Sequence, residues 1–303
     1  DPFLPLAIAA EHTSGVRLGT NVAIAFPRSP MVTAQCAWDL QQYSGGRFAL
    51  GLGTQVKGHN ERRYSTAWPA APGPRMREYV QCLRAIFRSF QDPREPAYFE
   101  GEHYRFTMLP PFFNPGPIAH PAIPVHVAAV NPYMARMAGE LCEGLRLHPV
   151  ATFAYTRAVL MPAIAEGAAR AGRDAADFEL IGAPFVALGR DEQELQQAKD
   201  ALRQQIAFYA STRSYHAVLA FHGWEDTGLA LHRLSLEGKW TEMPALISDA
   251  MLEQWAVVAL YEDVAQKLRA LAQGLFRTVL IDLPAAARAD TAFVRETVQR
   301  LRA

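Results

Sequence analysis

Apolar residues run along this chain in two rhythms. Between residues 74 and 90, Met76, Tyr79, Val80, Leu83, Ile86, Phe87 and Phe90 recur every three or four positions, the stripe of an amphipathic helix. Elsewhere they come as short, nearly unbroken runs: VRLGTNVAIAF from Val16 to Phe26, residues 47–53, IPVHVAAV, LRLH, FELIGAPFVALG over 178–189, WAVVAL and FRTVLIDL. Runs this short and this continuous read as strands buried on both faces. Helical patterns lie between them, at 3–12, from Pro30 to about Ser44, from about Pro132 to Leu141, at 154–171, 191–210, 261–273 and 286–302. Pro30 suits a first helical turn, and the acidic residues at the start of 191–210 sit where the helix dipole favours them.

Three stretches depart from this alternation. Residues 55–73 read as a polar loop. Residues 91–123 are dense in proline and aromatics and read as a long loop holding a small hairpin near Phe99–Phe106. Residues 211–253 read as a mostly helical excursion inserted before the last strand. Strands buried on both faces and separated by helices predict an α/β fold with a parallel sheet. A closed barrel needs eight such strands. Six of these runs, leaving out the merely strand-like WAVVAL, count as strands, and the alternation reaches that number if a strand, a helix and a strand precede Asp1, where the chain opens directly in a helical pattern. The chain is therefore expected to be one α/β domain over residues 1–303, with an insertion at about 211–253 and an N-terminal βαβ missing from it.

One junction stands out. A helical stretch, PMVTAQCAWDLQQYS, ends at Gly45-Gly46, and the run Arg47 to Leu52 then closes on Gly53 and Thr54. Two glycines end a helix readily. A small residue at the C-terminal end of a strand lets a ligand approach the backbone, though a plain βα turn has the same composition.

Composition narrows the chemistry. Of 303 residues 50% are hydrophobic and 20% charged, and the formal net charge is zero, so no electrostatic footprint for nucleic acid is present. The cysteines, Cys36, Cys82 and Cys142, are too widely spaced for a redox pair or a disulfide framework, which suits a reduced, cytoplasmic setting. The apolar start PFLPLAIAA is too short to span a membrane and is broken by Pro5. The nine histidines show no HExxH or similar spacing, so no metal site is expected, and neither a nucleophile elbow nor a phosphate-binding P-loop occurs. Arg62–Arg63 read as a solvated pair. Trp68, Phe112, Phe113 and Trp224 lie in the irregular stretches, where they can wall an apolar pocket or simply pack.

The run LGTNVAIAFPRSPMVTAQCAWDLQQYSGGRFALGLGT, together with EGEHYRF, IPVHVAAVNPYMARMAGELCEGL and RQQIAFY, resembles the luciferase-like flavin and deazaflavin oxidoreductases, most closely the branch that uses coenzyme F420. The resemblance extends over essentially the whole chain. It implies a TIM (β/α)8 barrel with the cofactor ring at the C-terminal ends of the strands, and a βαβ unit before Asp1. It implies a non-proline cis peptide at Asn21–Val22, forming a bulge behind the ring. Gly53 and Thr54 would then lie against the ring, with His59 near it as the one weak catalytic candidate. Ala128, Ala129, Val130 and Asn131 would offer backbone N–H groups to the cofactor phosphate, although this chain has Val-Asn where relatives often carry glycine. His148 and Thr152 would face the same phosphate, or Thr152 would cap the helix after it. The absence of a carboxylate between Leu50 and Asn60 argues against the sugar-phosphate substrates of some relatives. The resemblance further implies a homodimer acting on a small molecule by hydride transfer. FMN-dependent monooxygenation on the same fold and a non-catalytic cofactor-binding barrel are the alternatives.

Overall fold

A computed structural model describes residues 1–302, which pack as two compact units. One comprises residues 1–129, 133–146 and 163–178, and the remaining described residues form the other. Among the described residues no helix is long and apolar enough to cross a membrane.

The first unit is built on parallel strands. β1 (Leu18–Gly19) and β2 (Ala23–Ile24) pair with one edge of β3 (Phe48–Gly53). β4 (Phe99–Glu100) and β5 (Arg105–Phe106) make the expected antiparallel hairpin. β6 (Val125–Ala129) pairs with the other edge of β3, and β7 (Gly144–Leu147) lies beside β6. Every residue of β3 is buried, as its unbroken apolar run requires. The helix Pro72–Gln91 starts two residues before the expected Pro74, and its seven stripe residues are all buried. Trp38, on the helix Pro30–Tyr43, stacks on Phe87 at 5.7 Å and meets Phe90 edge-on at 5.5 Å. Ser29 starts that helix by accepting the Val32 N–H, with Pro30 in its first turn.

The GGRF junction works through its arginine. Gly45 and Gly46 take φ of 64° and 87°, a left-handed turn that glycine enters without a Cβ clash. The chain reverses there and delivers the Arg47 guanidinium to the end of the helix Leu4–His12. Its Nη2 donates to Ala10 O at 3.1 Å and Thr13 O at 2.7 Å. Its Nη1 donates to Thr13 Oγ1 and Val16 O, and its Nε to Ser44 O at 2.8 Å. One side chain thus satisfies carbonyls at the ends of two helices and in the loop leading to β1.

The expected strand Val16–Phe26 is two short strands. Leu18 faces Phe48 and Gly19 faces Ala49, but Ala23 faces Leu52, so one residue too many lies between β1 and β2. The peptide Asn21–Val22 in that detour is cis. The ladder bonds lost there are replaced by Thr20, whose Oγ1 donates to Gly51 O at 2.6 Å and accepts from Gly51 N at 2.9 Å.

In the second unit β8 (Glu179–Gly182) pairs in parallel with β11 (Thr278–Val279), and β9 (Phe185–Gly189) pairs in parallel with β10 (Ala256–Leu260) over its full length. The predicted single strand 178–189 breaks between β8 and β9 at Pro184, which has no N–H for a ladder. Asp191 caps the helix Glu192–Ala210 by accepting the Glu194 N–H. The excursion is helical, with helices His216–Phe221, Glu225–Leu236 and Asp249–Trp255. It precedes β10, not the last strand: both WAVVAL and Thr278–Val279 are paired, so two strands follow it. Its Leu219, Leu231, Leu252 and Trp255 join Ile206 and Ala210 in one buried cluster that also holds Val150 and Phe185. The polar stretch 55–73 also differs from its reading, since Lys57–Arg63 is a short helix.

Replacing Arg47 by Lys keeps the charge and loses the fork. The loss of several side-chain hydrogen bonds is expected to lower stability by about 2 kcal/mol, read as a lower midpoint in urea unfolding at unchanged slope.

Candidate functional site

In the first unit the sequence-predicted residues Val22, Gly53 and Ala128 come together. A Cβ built on Gly53 would lie 2.6 Å from Val22 Cγ2 and 3.8 Å from Ala128 Cβ. Gly53 is therefore required by a neighbour: the Val22 side chain, turned in at the cis peptide, occupies the space a side chain at 53 would need. The result is a small, apolar floor at the end of β3. Asn21 is exposed, and Ala129 is buried at the end of β6.

Beneath this floor lies a feature that sequence reading missed. Arg146, on β7, is only 6% exposed. Its Nη2 lies 2.7 Å from where a Cβ on Gly19 would sit, and its Nε lies 2.5 Å from the corresponding position on Gly51. Two missing side chains make the channel for one long cation. The signal was present as glycines at 19 and 51 and an arginine inside an apolar strand. The pairing of Gly51 with buried His126 on β6 completes a polar layer below the apolar one.

Thr54 is half-buried, and its Oγ1 donates to Gln55 O at 2.9 Å. His59 sits on the short helix Lys57–Arg63 with its side chain exposed. Nearby, Trp68 meets Phe26 edge-on at 5.9 Å, and Arg75 lies over Phe26 at 4.5 Å while its Nε donates to Tyr104 OH at 2.9 Å. Phe112 and Phe113 are highly exposed and pack edge-on against each other at 5.4 Å. Glu78, Glu102 and His103 form a group whose ligand atoms lie within 4.8 Å of one another, which no spacing motif had indicated. The Glu78 carboxylate already accepts the backbone N–H groups of Glu102 and His103, so it serves the hairpin turn.

In the second unit His148 and Thr152 are both tied to the neighbouring helices. His148 stacks on Tyr215 at 4.9 Å and meets Tyr209 edge-on at 4.7 Å. Burial pushes its pKa down to about 4. The ring is therefore neutral near pH 7, and because Nδ1 accepts the Val150 N–H at 3.2 Å, the proton rests on Nε2. His148 can offer a hydrogen bond there, but not the positive charge expected of a basic group. Thr152 caps the following helix, as the alternative reading had it, by accepting the Tyr155 N–H at 3.1 Å. Its hydroxyl also bonds His222 Nε2 at 2.8 Å. His222 stacks on Trp224 at 4.3 Å, Trp224 packs on Trp255, and Trp255 Nε1 donates to Val150 O at 2.7 Å. The excursion thus closes onto residues 148–152 through His222, Trp224 and Trp255. Val130 packs on the same cluster, and Asn131 is exposed.

Comparison with known proteins adds the following. A family model described as luciferase-like monooxygenase matches residues 1–278. An uncharacterized protein of Mycobacterium tuberculosis is 47% identical over 92% of this chain and 82% of its own length. A putative coenzyme F420-dependent oxidoreductase of the same organism is 27% identical over 88% of this chain and 79% of its own. Among solved structures, an F420-dependent secondary alcohol dehydrogenase in complex with an F420-acetone adduct superposes with a TM-score of 0.75 at 17% identity, covering 99% of this chain and 84% of that one. EDTA monooxygenase from Chelativorans sp. BNC1 superposes with a TM-score of 0.73 at 17% identity, covering 100% and 77%. The chain shares the α/β fold of these structures.

Two outcomes follow from the geometry. Gly53→Ala drives a methyl into Val22, and the overpacking is expected to cost about 1–3 kcal/mol in denaturant unfolding. For His148, the unfolded chain takes up a proton near the ordinary value of 6.5 and the folded one only near 4. Stability held above that ordinary value is then lost as pH falls through this window. His216 and His222 are shifted down by burial as well. His148→Phe keeps a ring without a titrating group, so its stability should fall less steeply than the wild type's between neutral pH and pH 4.

Proposed function

Because the chain belongs to the luciferase-like monooxygenase family, we propose that it is an oxidoreductase moving a hydride between coenzyme F420 and a small organic substrate. The observation that carries the choice of cofactor is the similarity, over most of both chains, to a putative coenzyme F420-dependent oxidoreductase. When bound, the deazaflavin supplies a two-electron hydride carrier that activates oxygen poorly.

The residues present fit such a ring. Val22, Gly53 and Ala128 leave an apolar surface free of large side chains, against which a flat heterocycle can lie. Thr54 and Asn21 would flank the ring with polar groups, and His59 would reach it only from the short helix. The phosphate of the cofactor would take backbone N–H groups of Ala129, Val130 and Asn131, an Nε2–H bond from His148, and the hydroxyl of Thr152. With His222 Nε2–H donating to Oγ1, the Thr152 hydroxyl proton would serve the phosphate oxygen; with the opposite tautomer Thr152 would exchange its His222 partner for it, since one hydroxyl proton serves one acceptor. No residue in this set is assigned as acid or base. The reading includes a single TIM-type barrel domain and a cytoplasmic homodimer that takes small molecules and neither nucleic acid nor membrane.

The second reading is an FMN-dependent monooxygenase, favoured by the fold shared with EDTA monooxygenase. Titrating the purified protein with F420 and with FMN, followed by fluorescence quenching, separates the two. Saturable F420 binding with weak or no FMN binding is the expected result. Tight FMN binding with no response to F420 would overturn the first reading. Binding of F420 with no oxidation of its reduced form by any of a panel of small carbonyl compounds and enones would favour a non-catalytic barrel.

A further inference from the structure

The loop that follows Gly53 is held by a side chain that no motif singled out. Asn60, on the helix Lys57–Arg63, is fully buried. Its Nδ2 donates to Thr54 O at 2.9 Å and to Val56 O at 3.2 Å. Between those two carbonyls lies Gln55, with φ of 59°, a left-handed conformation uncommon for a residue other than glycine. Two local bonds support the same turn: Gln55 Oε1 accepts the Val56 N–H at 3.0 Å, and Thr54 Oγ1 donates to Gln55 O.

The orientation of the Asn60 amide follows from its neighbours. Two carbonyl oxygens face one end of it, so that end must be the NH2 group. The reversed amide would set three oxygens against one another. Asn60 Oδ1 is buried and receives no hydrogen bond from the described residues. Donation to the two carbonyls is therefore what fixes the side chain. Removing it would free the Thr54 carbonyl and untie it from Val56, whose own carbonyl keeps the backbone N–H groups of His59 and Asn60; Gln55, between the two, would then relax out of its left-handed conformation.

We propose that Asn60 is a positioning residue for the cofactor floor. It staples Thr54 and Val56, keeps Gln55 left-handed, and so presents the Gly53–Thr54 end of β3 in its binding shape before the ring arrives. A preformed loop loses less freedom on binding, which is where the affinity comes from. This inference rests on the reading that the ring lies over Gly53.

The test uses Asn60→Asp, which keeps the shape and replaces the donor with an oxygen. Asn60→Ala serves if that variant does not fold. Hydrogen exchange of residues 54–66 in the cofactor-free protein and the F420 dissociation constant are measured together. Faster exchange confined to that segment, with F420 bound about tenfold or more weakly, is the expected result. Adding Gln55→Gly, which accepts a positive φ at no steric cost, should recover part of the affinity, whereas Gln55→Ala should not. Unchanged exchange over 54–66, or faster exchange with unchanged F420 affinity, overturns the proposal. If the wild type binds neither F420 nor FMN, the functional reading falls, and exchange alone decides whether Asn60 holds the loop.

Discussion

Two hydrogen bonds between Thr20 and the backbone of Gly51 hold together the part of the first unit on which its candidate site is built. Where β1 stops and β2 has not yet begun, the ladder to β3 has no backbone partner to offer. A buried N–H and C=O left open there would be costly. Thr20 closes both with one hydroxyl. That closure accommodates the extra residue in the detour, where Val22 fills the space a side chain at 53 would need. Arg146 adds the complementary constraint from below, filling the channel left by Gly19 and Gly51. The floor is thus a consequence of packing: an apolar layer of Val22, Gly53 and Ala128 over a polar layer that carries a buried cation.

Much of this frame could be read from the chain alone, and the reasons differ by element. The helix Pro72–Gln91 has a clean apolar stripe and was found almost to its ends. The hairpin at Phe99–Phe106 and the strands β3, β6 and β10 were legible because buried strands leave short apolar runs. The strand 16–26 could not be resolved from its residues, since a register change of one residue leaves the composition of the run untouched. The resemblance, not the periodicity, pointed to Asn21–Val22. Pro184 splits the run 178–189, but the apolar residues on both sides of it made the run read as one strand. The helix Lys57–Arg63 carries no apolar stripe, so nothing marked it within a polar stretch.

The site divides in the same way. Gly53, small and at a strand end, was legible as a place of close approach, though the neighbour that demands it is Val22; Ala128 entered only through the resemblance, as a phosphate contact, and lies beside Gly53. His148 and Thr152 were legible as a basic and a hydroxyl group, yet their state depends on partners far along the chain. Tyr209 and Tyr215 bury His148 and keep it neutral, and His222 engages the hydroxyl of Thr152. Arg146 and Asn60 went unnoticed because their roles arise from what they touch. An arginine in a strand and an asparagine in a polar stretch carry no such meaning in sequence.

The excursion fastens to residues 148–152 through a few side chains: the Trp255 indole on a backbone carbonyl, and the His222 ring on a hydroxyl and an indole face. A carbonyl is offered by any residue, and a ring face accepts many partners. Such an attachment lets descent vary the excursion while residues 148–152 stay as they are. A lineage can thus redraft the excursion without disturbing the residues it fastens to.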